Sequence, residues 1–392
     1  MVRFEDRMTR AAVLTRPGLD DLVDALIGDG YRVVGPTVRD QAIVLAELTS
    51  GRELPAGWGV ETGPGRYRLR PRGDAAVFGH SAGTQSWKEF LHPAHQTLFT
   101  SSAEGFAAMV EAPARWAFLG VRACDLAALA ILTRVLGTGD YPAGTFSRRR
   151  RGLLVIAVGC TEPGDVCFCA SMGTGPTPGP GYDLALTERI DSDGHRFLVE
   201  VGTPEGGRIL DLLPHRPATD PEIDDAHAAL AAAGTQMGRA LPAGDIRALL
   251  GQSASSPVWS EVAERCLTCG NCTAVCPTCF CTTTTDTTEL GGDAAERSQR
   301  WASCFELDFS YLHGGSVRVS GASRYRQWIT HKLSTWYDQF GSSGCVGCGR
   351  CIAWCPAGID ITEEVARLDA LQSVRETVPT EGGAAGDDTG AR

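Results

Sequence analysis

The sequence contains no long apolar run: its longest nearly apolar stretch, Leu153 to Cys160, is far too short to cross a bilayer. Between Met1 and Ala25 there is no basic start followed by an apolar segment and a small-residue cleavage site, which predicts a chain that is not exported. Positive charge is in deficit, with 36 Lys and Arg against 47 Asp and Glu and a formal net charge of -11. A nucleic acid or an anionic membrane would repel such a chain, so proteins and small molecules are the expected partners. No Gly-x-Gly-x-x-Gly fingerprint, Walker loop or Ser/His/Asp set stands out, and His80, His92, His95 and His331 follow no metal-ligand pattern. Hydride chemistry is therefore without sequence support, and no catalytic site is predicted.

Against these absences stand 15 cysteines in 392 residues. In a short secreted chain they would read as disulfides, but here they fall into tight clusters in a large chain that is 43% hydrophobic. Metal or redox chemistry is the reading that follows. Cys266, Cys269, Cys272 and Cys276, then Pro277, give Cys-x2-Cys-x2-Cys-x3-Cys-Pro, and Cys345, Cys348, Cys351, Cys355 and Pro356 repeat it without deviation. Three closely spaced thiolates wrap one [4Fe-4S] cluster while the fourth cysteine leads away to the other. The spacing thus assigns Cys266, Cys269, Cys272 and Cys355 to one cluster, and Cys345, Cys348, Cys351 and Cys276 to a second. Zinc ribbons use two separated Cys-x2-Cys pairs instead. Gly270 and Gly349 share a motif position where a side chain would crowd a cluster or block a backbone N–H from reaching sulfur.

The predicted fold class is α+β: an N-terminal α/β region, then a helical two-cluster ferredoxin-like domain with a long insertion, Pro277 to Gly344, between its motifs. Apolar spacing predicts a helix over Leu19 to Ile27 and strands over Tyr31 to Val34 and Ala42 to Leu48. Pro55 to Gly73 reads as loops and turns. A strand at Ala117 to Val121, a helix at Leu126 to Val135 and a strand at Leu153 to Val158 suggest an α/β layer. Further strands are expected at Tyr182 to Thr187 and Phe197 to Gly202, and helices at Pro221 to Gly251, Trp259 to Arg265 and Arg326 to Gln339. The expected domains are 1–250, 251–376 and a disordered tail, 377–392.

Seven cysteines remain. Cys124 ends one strand, and Cys160, Cys167 and Cys169 follow the next, so the four are candidates for a third [4Fe-4S] site, with buried structural thiols as the alternative. Cys279, Cys281 and Cys304 read as packing residues or as tuners of the adjacent cluster, with an extra metal left open. Arg148 to Arg151 reads as a solvated turn before a strand.

Cys266-Leu-Thr-Cys-Gly-Asn-Cys-Thr-Ala-Val-Cys-Pro-Thr-Cys-Phe-Cys, Trp301-Ala-Ser-Cys304 and Cys345-Val-Gly-Cys-Gly-Arg-Cys-Ile-Ala-Trp-Cys-Pro resemble the beta subunit of soluble group 3 nickel–iron hydrogenases, the sulfhydrogenases. Gly120-Val-Arg-Ala-Cys-Asp-Leu, Cys167-Phe-Cys169 and Val201-Gly-Thr-Pro extend the likeness from Lys88 to Glu364. The A subunit of anaerobic sulfite reductase is similar in the same regions. The resemblance implies a cytoplasmic electron-transfer subunit between a flavin- and NAD(P)-binding subunit and nickel–iron hydrogenase subunits. A sulfite-reductase relay and a stand-alone iron–sulfur redox sensor are the competing expectations.

Overall fold

The structure is a computed structural model that describes residues 10–109, 112, 114–192 and 194–377. The chain opens with strand β1 (Ala11–Thr15) and helix α1 (Arg16–Gly28), whose start is capped by the Thr15 hydroxyl and whose buried stripe is Leu19, Leu22, Val23 and Leu26. Strands β2 (Tyr31–Arg39) and β3 (Ala42–Glu47) form a hairpin, and a second hairpin, β4 (Trp58–Gly63) with β5 (Arg66–Pro71), follows. This second hairpin corrects the expectation of loops at Pro55 to Gly73. After a short helix α2 (Lys88–Leu91), strands β6 (His95–Ser102) and β7 (Gly105–Ala108) pair with each other.

Strand β8 (Arg115–Arg122), helix α3 (Ala123–Leu136), helix α4 (Gly144–Arg150) and strand β9 (Leu154–Val158) then make the expected strand–helix–strand unit. The arginine run expected in a turn lies largely in α4, where Phe146 is buried and Arg149 donates to the Phe90 carbonyl. Strands β10 (Leu184–Asp191) and β11 (Gly194–Val201), helix α5 (Pro204–Leu210), strand β12 (Arg216–Pro217) and helix α6 (Asp220–Gly234) complete this half. The helix expected to run from Pro221 to Gly251 is broken: α6 stops at Gly234 and α7 (Ile246–Gln252) starts afresh on an Asp245 cap.

Eight strands form one mixed sheet in the order β12-β1-β11-β10-β9-β8-β2-β3. Its inner pairs β2–β8, β8–β9 and β9–β10 are parallel. One face packs with α1 and α5 around Leu14, Leu119, Ile156 and Phe197; the other carries α3 and Phe146 over Phe118, Val155 and Ala157. Helices on both faces of parallel strands place the strand-end loops together at one edge.

The remaining elements are α8 (Val258–Arg265), α9 (Asn271–Ala274), hairpin β13 (Thr282–Thr288) and β14 (Ala295–Trp301), the short pair β15 (Tyr311–Leu312) and β16 (Gly315–Ser316), α10 (Gly321–Thr330), α11 (Trp336–Phe340), α12 (Arg350–Ala353) and α13 (Ile361–Thr377), with 3₁₀ and π turns between them. The expected helix at Arg326 to Gln339 is present as α10 and α11 joined by a π-helical turn, His331–Thr335. The insertion turns back on the first half: β14 pairs with β6, giving a second sheet in the order β13-β14-β6-β7. The expected tail lies outside the described residues beyond 377. No helix among the described residues is long and apolar enough to cross a membrane.

Candidate metal centres

The two cysteine motifs fold into loops of the same conformation. In each, the residue two after the first cysteine has a positive φ, +50° at Thr268 and +64° at Gly347, and its N–H donates to that cysteine's Sγ at 3.4 Å. In each, a left-handed glycine, Gly270 (φ +74°) or Gly349 (φ +72°), starts a single helical turn, α9 or α12, carrying the third cysteine. A turn of this kind points successive thiols to one side.

One cavity is lined by Cys266, Cys269, Cys272 and Cys355, with Cys351 also on its wall and Phe305, Tyr325 and Trp328 behind. A second is lined by Cys345, Cys348, Cys351 and Cys276, with Phe168, Trp328 and Lys332. Each cavity therefore meets three thiols of one motif and the fourth cysteine of the other. Trp328, Cys351 and Ile361 line both, so the two spaces are neighbours.

Burial raises the thiol pKa of Cys272 and Cys351 far above the ordinary range, and that of Cys345 to about 12. Cys276 goes the other way: the adjacent Cys279 thiol and the Lys332 ammonium favour its thiolate. Lys332 is 3% exposed, donates to Thr278 Oγ1 at 2.7 Å and to the Gly344 carbonyl at 3.2 Å, and lies 4.5 Å from the Trp336 ring.

This donor set fits iron–sulfur clusters. It is made of thiols with N–H groups aimed at sulfur, Ile359 N–H donating to Cys355 Sγ at 3.3 Å as a third case. Tyr325 Oη and Trp328 Nε1 are buried at the cavity walls with no hydrogen-bond partner among the described residues, and cluster sulfides are acceptors. No three His, Cys, Asp or Glu side chains among the described residues converge closely enough to hold a single metal ion. A cubane spreads its thiolates wider than one tetrahedral ion does.

Of the four N-terminal candidates, Cys124 and Cys169 pack together beside the second cavity. Cys124 lies in the first turn of α3 after β8, and Cys160, Cys167 and Cys169 in the loop after the adjacent parallel strand β9. Cys124 and Cys169 pack with Val346, Trp336 and Cys348, and Cys160 is close enough to raise the thiol pKa of Cys167 and of Cys169, burial being the larger cause in both. The loop is locked to the second motif: Phe168 N–H donates to the Gly347 carbonyl at 2.8 Å, and a Cβ on Gly349 would meet the Val166 carbonyl oxygen at 2.3 Å. The neighbour a side chain would meet at Gly349 is thus the protein's own backbone; at Gly270 it is Ser303.

Sequence reasoning missed Lys88 and Lys332, two buried ammonium groups among the thiols. Lys332 sat unremarked inside an expected helix. For Lys88 the cue was a lysine wedged between Trp87 and the pair Phe90 and Leu91, two of these three aromatic or aliphatic neighbours being fully buried. His80 and His92 are buried and held neutral, with burial the largest cause in each, and neither lines a thiol cavity.

The profile of the 4Fe-4S dicluster domain matches residues 265–359, which span both motifs. The chain is 30% identical over 276 residues to sulfhydrogenase 2 subunit beta of Pyrococcus furiosus, covering 68% of this chain and 76% of that one. No solved structure matches.

Proposed function

The chain belongs to the family of that sulfhydrogenase beta subunit, an iron–sulfur subunit of hydrogenase type, and from this premise we propose that it relays electrons between a flavin- and NAD(P)H-binding subunit and nickel–iron hydrogenase subunits. The observation that carries the reading is the crossed lining of the two cavities, each meeting three thiols of one motif and the last cysteine of the other. Cys266, Cys269, Cys272 and Cys355 are the ligand set of one [4Fe-4S] cluster, and Cys345, Cys348, Cys351 and Cys276 that of the other. Bound clusters supply one-electron transfer. The chain's own residues do the rest: the loops fix the thiols, the aromatic wall of Phe305, Tyr325 and Trp328 keeps water away, and Lys332 offsets negative charge beside Cys276.

Cys124, Cys160, Cys167 and Cys169 are proposed as a third cluster site, which their position against Cys348 would place next in line. We retain the division into 1–250 and 251–376, and a cytoplasmic location, as parts of the same proposal. A sulfite-reductase relay and a redox sensor are the readings it competes with.

Two measurements test it. Anaerobic purification from the native host should bring down a nickel–iron subunit; a sirohaem subunit, or no oxidoreductase partner at all, would overturn the assignment to a hydrogenase. Cys355→Ser should damage the cluster held by Cys266, Cys269 and Cys272 more than the one beside its own neighbours. Electron paramagnetic resonance (EPR) of the reduced variant showing only the other cluster altered would undo the crossed assignment.

A further inference from the structure

The two motif loops repeat each other, but the side chains behind their cysteines do not. Lys332, on the π-helical turn His331–Thr335, lines the second cavity and is 3% exposed. Its backbone carbonyl accepts from the Gly344 N–H at 2.8 Å and its Nζ donates to the Gly344 carbonyl at 3.2 Å, so it grips both sides of the glycine before Cys345. Nζ also donates to Thr278 Oγ1 at 2.7 Å, and that hydroxyl lies 3.3 Å from Cys276 Sγ. One lysine thus ties together the segments that carry Cys276 and Cys345, two ligands drawn from different motifs. Single π-helical turns are rare and recur at functional sites.

The first cavity is built without such a group. Two residues after its crossing cysteine, Cys355, stands Ala357, which has no hydroxyl where Thr278 follows Cys276. The residue before Cys266 is Arg265, half-exposed and paired with Glu364. Among the described residues no Lys, Arg, Asp or Glu side chain lines this cavity. On the second cavity Arg350 is also a wall residue, but the buried Asp125 matches its charge at 2.9 Å. Lys332 meets no carboxylate among the described residues; its contacts are the two oxygens and the Trp336 ring at 4.5 Å. Lys88 is buried as well, but its Nζ meets the Ala274 carbonyl between Cys272 and Cys276, a ligand of each cluster, and so distinguishes neither.

We propose that Lys332, acting through Thr278, is a positioning residue that sets the potential of the second cluster above that of the first, so that an electron shared by the pair rests with Cys345, Cys348, Cys351 and Cys276. The proposal rests on the two-cluster reading above. Passage between the pair oxidises the first-motif cluster and reduces the second-motif one by one electron, with no proton moved. An ammonium buried without an anion is costly, and the negative charge that reduction adds beside it is favoured more strongly in a low-dielectric wall than in water. Cys269 is the exposed one of the cysteines among the described residues, and water there favours reduction of the first cluster. A whole ammonium behind buried ligands is the larger influence.

The test is an EPR-monitored redox titration of the anaerobically purified full chain, with Cys355→Ser identifying the first cluster's signal. In the parent the other signal should appear first as the potential falls. Lys332→Met should shift the midpoint of that signal to lower potential and leave the first cluster's in place, while Lys332→Arg, which keeps the charge, should stay close to the parent. Thr278→Val, which removes only the hydroxyl between Nζ and Cys276, should shift the same midpoint in the same direction and decides the matter if Lys332→Met does not fold. A merely structural lysine would lower cluster content or stability without moving one midpoint selectively. Unmoved midpoints in Lys332→Met and Thr278→Val, equal shifts of both signals, or a parent in which the first cluster is reduced first would each overturn the proposal and leave the two-cluster reading intact. A parent without two [4Fe-4S] signals would overturn both.

Discussion

Thr268 and Gly347 occupy the same place in two loops of the same shape, yet they answer to different neighbours. Both sit at positive φ, which costs a residue with a side chain about 1–2 kcal/mol. At 347 there is a further demand: a Cβ would lie 2.6 Å from the backbone N and Cα of Cys169. Gly347→Ala should therefore destabilise the anaerobic holoprotein by more than the backbone cost alone, about 2 kcal/mol or more, read as a lower urea midpoint. Thr268→Gly relieves the same backbone cost against a looser unfolded chain and should stay within about 1 kcal/mol of the parent. Equal midpoints for Gly347→Ala and the parent would mean that the Cys169 backbone does not approach this loop. Glu89 gives a pH prediction. Burial pushes its carboxyl up to about 7, the Lys88 charge opposing. A folded pKa above the unfolded one favours the protonated form, so this stability is fully present below about pH 4 and is lost as pH rises towards 7. Glu89→Gln, which stays neutral, should flatten the fall in stability between pH 5 and 7; an unchanged pH profile would show that Glu89 ionises freely in the fold.

Elements were legible in the sequence where their cues are local. The motif loops could be read because ligand spacing is a property of a dozen consecutive residues, and α1, β8, α3 and β9 because their apolar periodicity is unbroken. The β4–β5 hairpin was not, because its Gly and Pro residues outweighed the alternation of Tyr67 and Leu69; the turn between its strands is fixed by a distant partner, Gly65 N–H donating to the Ile352 carbonyl at 3.0 Å, and Tyr67 lies 5.0 Å from the Trp354 ring. The strand Thr282–Thr288 is polar and largely exposed, so only its pairing with β14 makes it a strand. The convergence of Cys124 with Cys169 was expected from the strand-end rule, whereas their contact with Cys348 depends on how α3 meets α12. That contact is held by a buried ion pair: Arg350 Nη1 lies 2.9 Å from Asp125 Oδ1, with side chains 3% and 4% exposed. Asp125→Ala would leave the Arg350 guanidinium buried and unpaired, and should cost about 3–5 kcal/mol by urea unfolding. A cost under about 1 kcal/mol, the size of a surface pair, would place Arg350 in solvent instead.

At the scale of the whole molecule, hydrophobic clusters join the sheet-bearing half to the residues around the motif cysteines: the cluster behind those cysteines includes Val166, Phe168, Leu249 and Leu250, and Cys124, Ala128 and Cys169 pack with Trp336 and Val346. The contacts between them run through the thiol loops. Phe168 bonds to Gly347, Gly65 to Ile352, Arg350 to Asp125 and Lys88 to Ala274, and Arg239 pairs at 2.7 Å with the fully buried Asp360. Strand β14 also completes a sheet begun by β6. Opening the first half would thus strip the second motif loop of its backbone partners, and losing the clusters would leave buried thiols and ammonium groups facing each other across empty space. The two halves should therefore unfold together. Under anaerobic urea titration, visible absorbance from the clusters and far-ultraviolet circular dichroism from the sheet should fall along one coincident transition. A cluster absorbance that outlasts the sheet signal would show that residues 251–376 hold their cofactors alone, and would make the contacts at Gly347 and Arg350 incidental to the site.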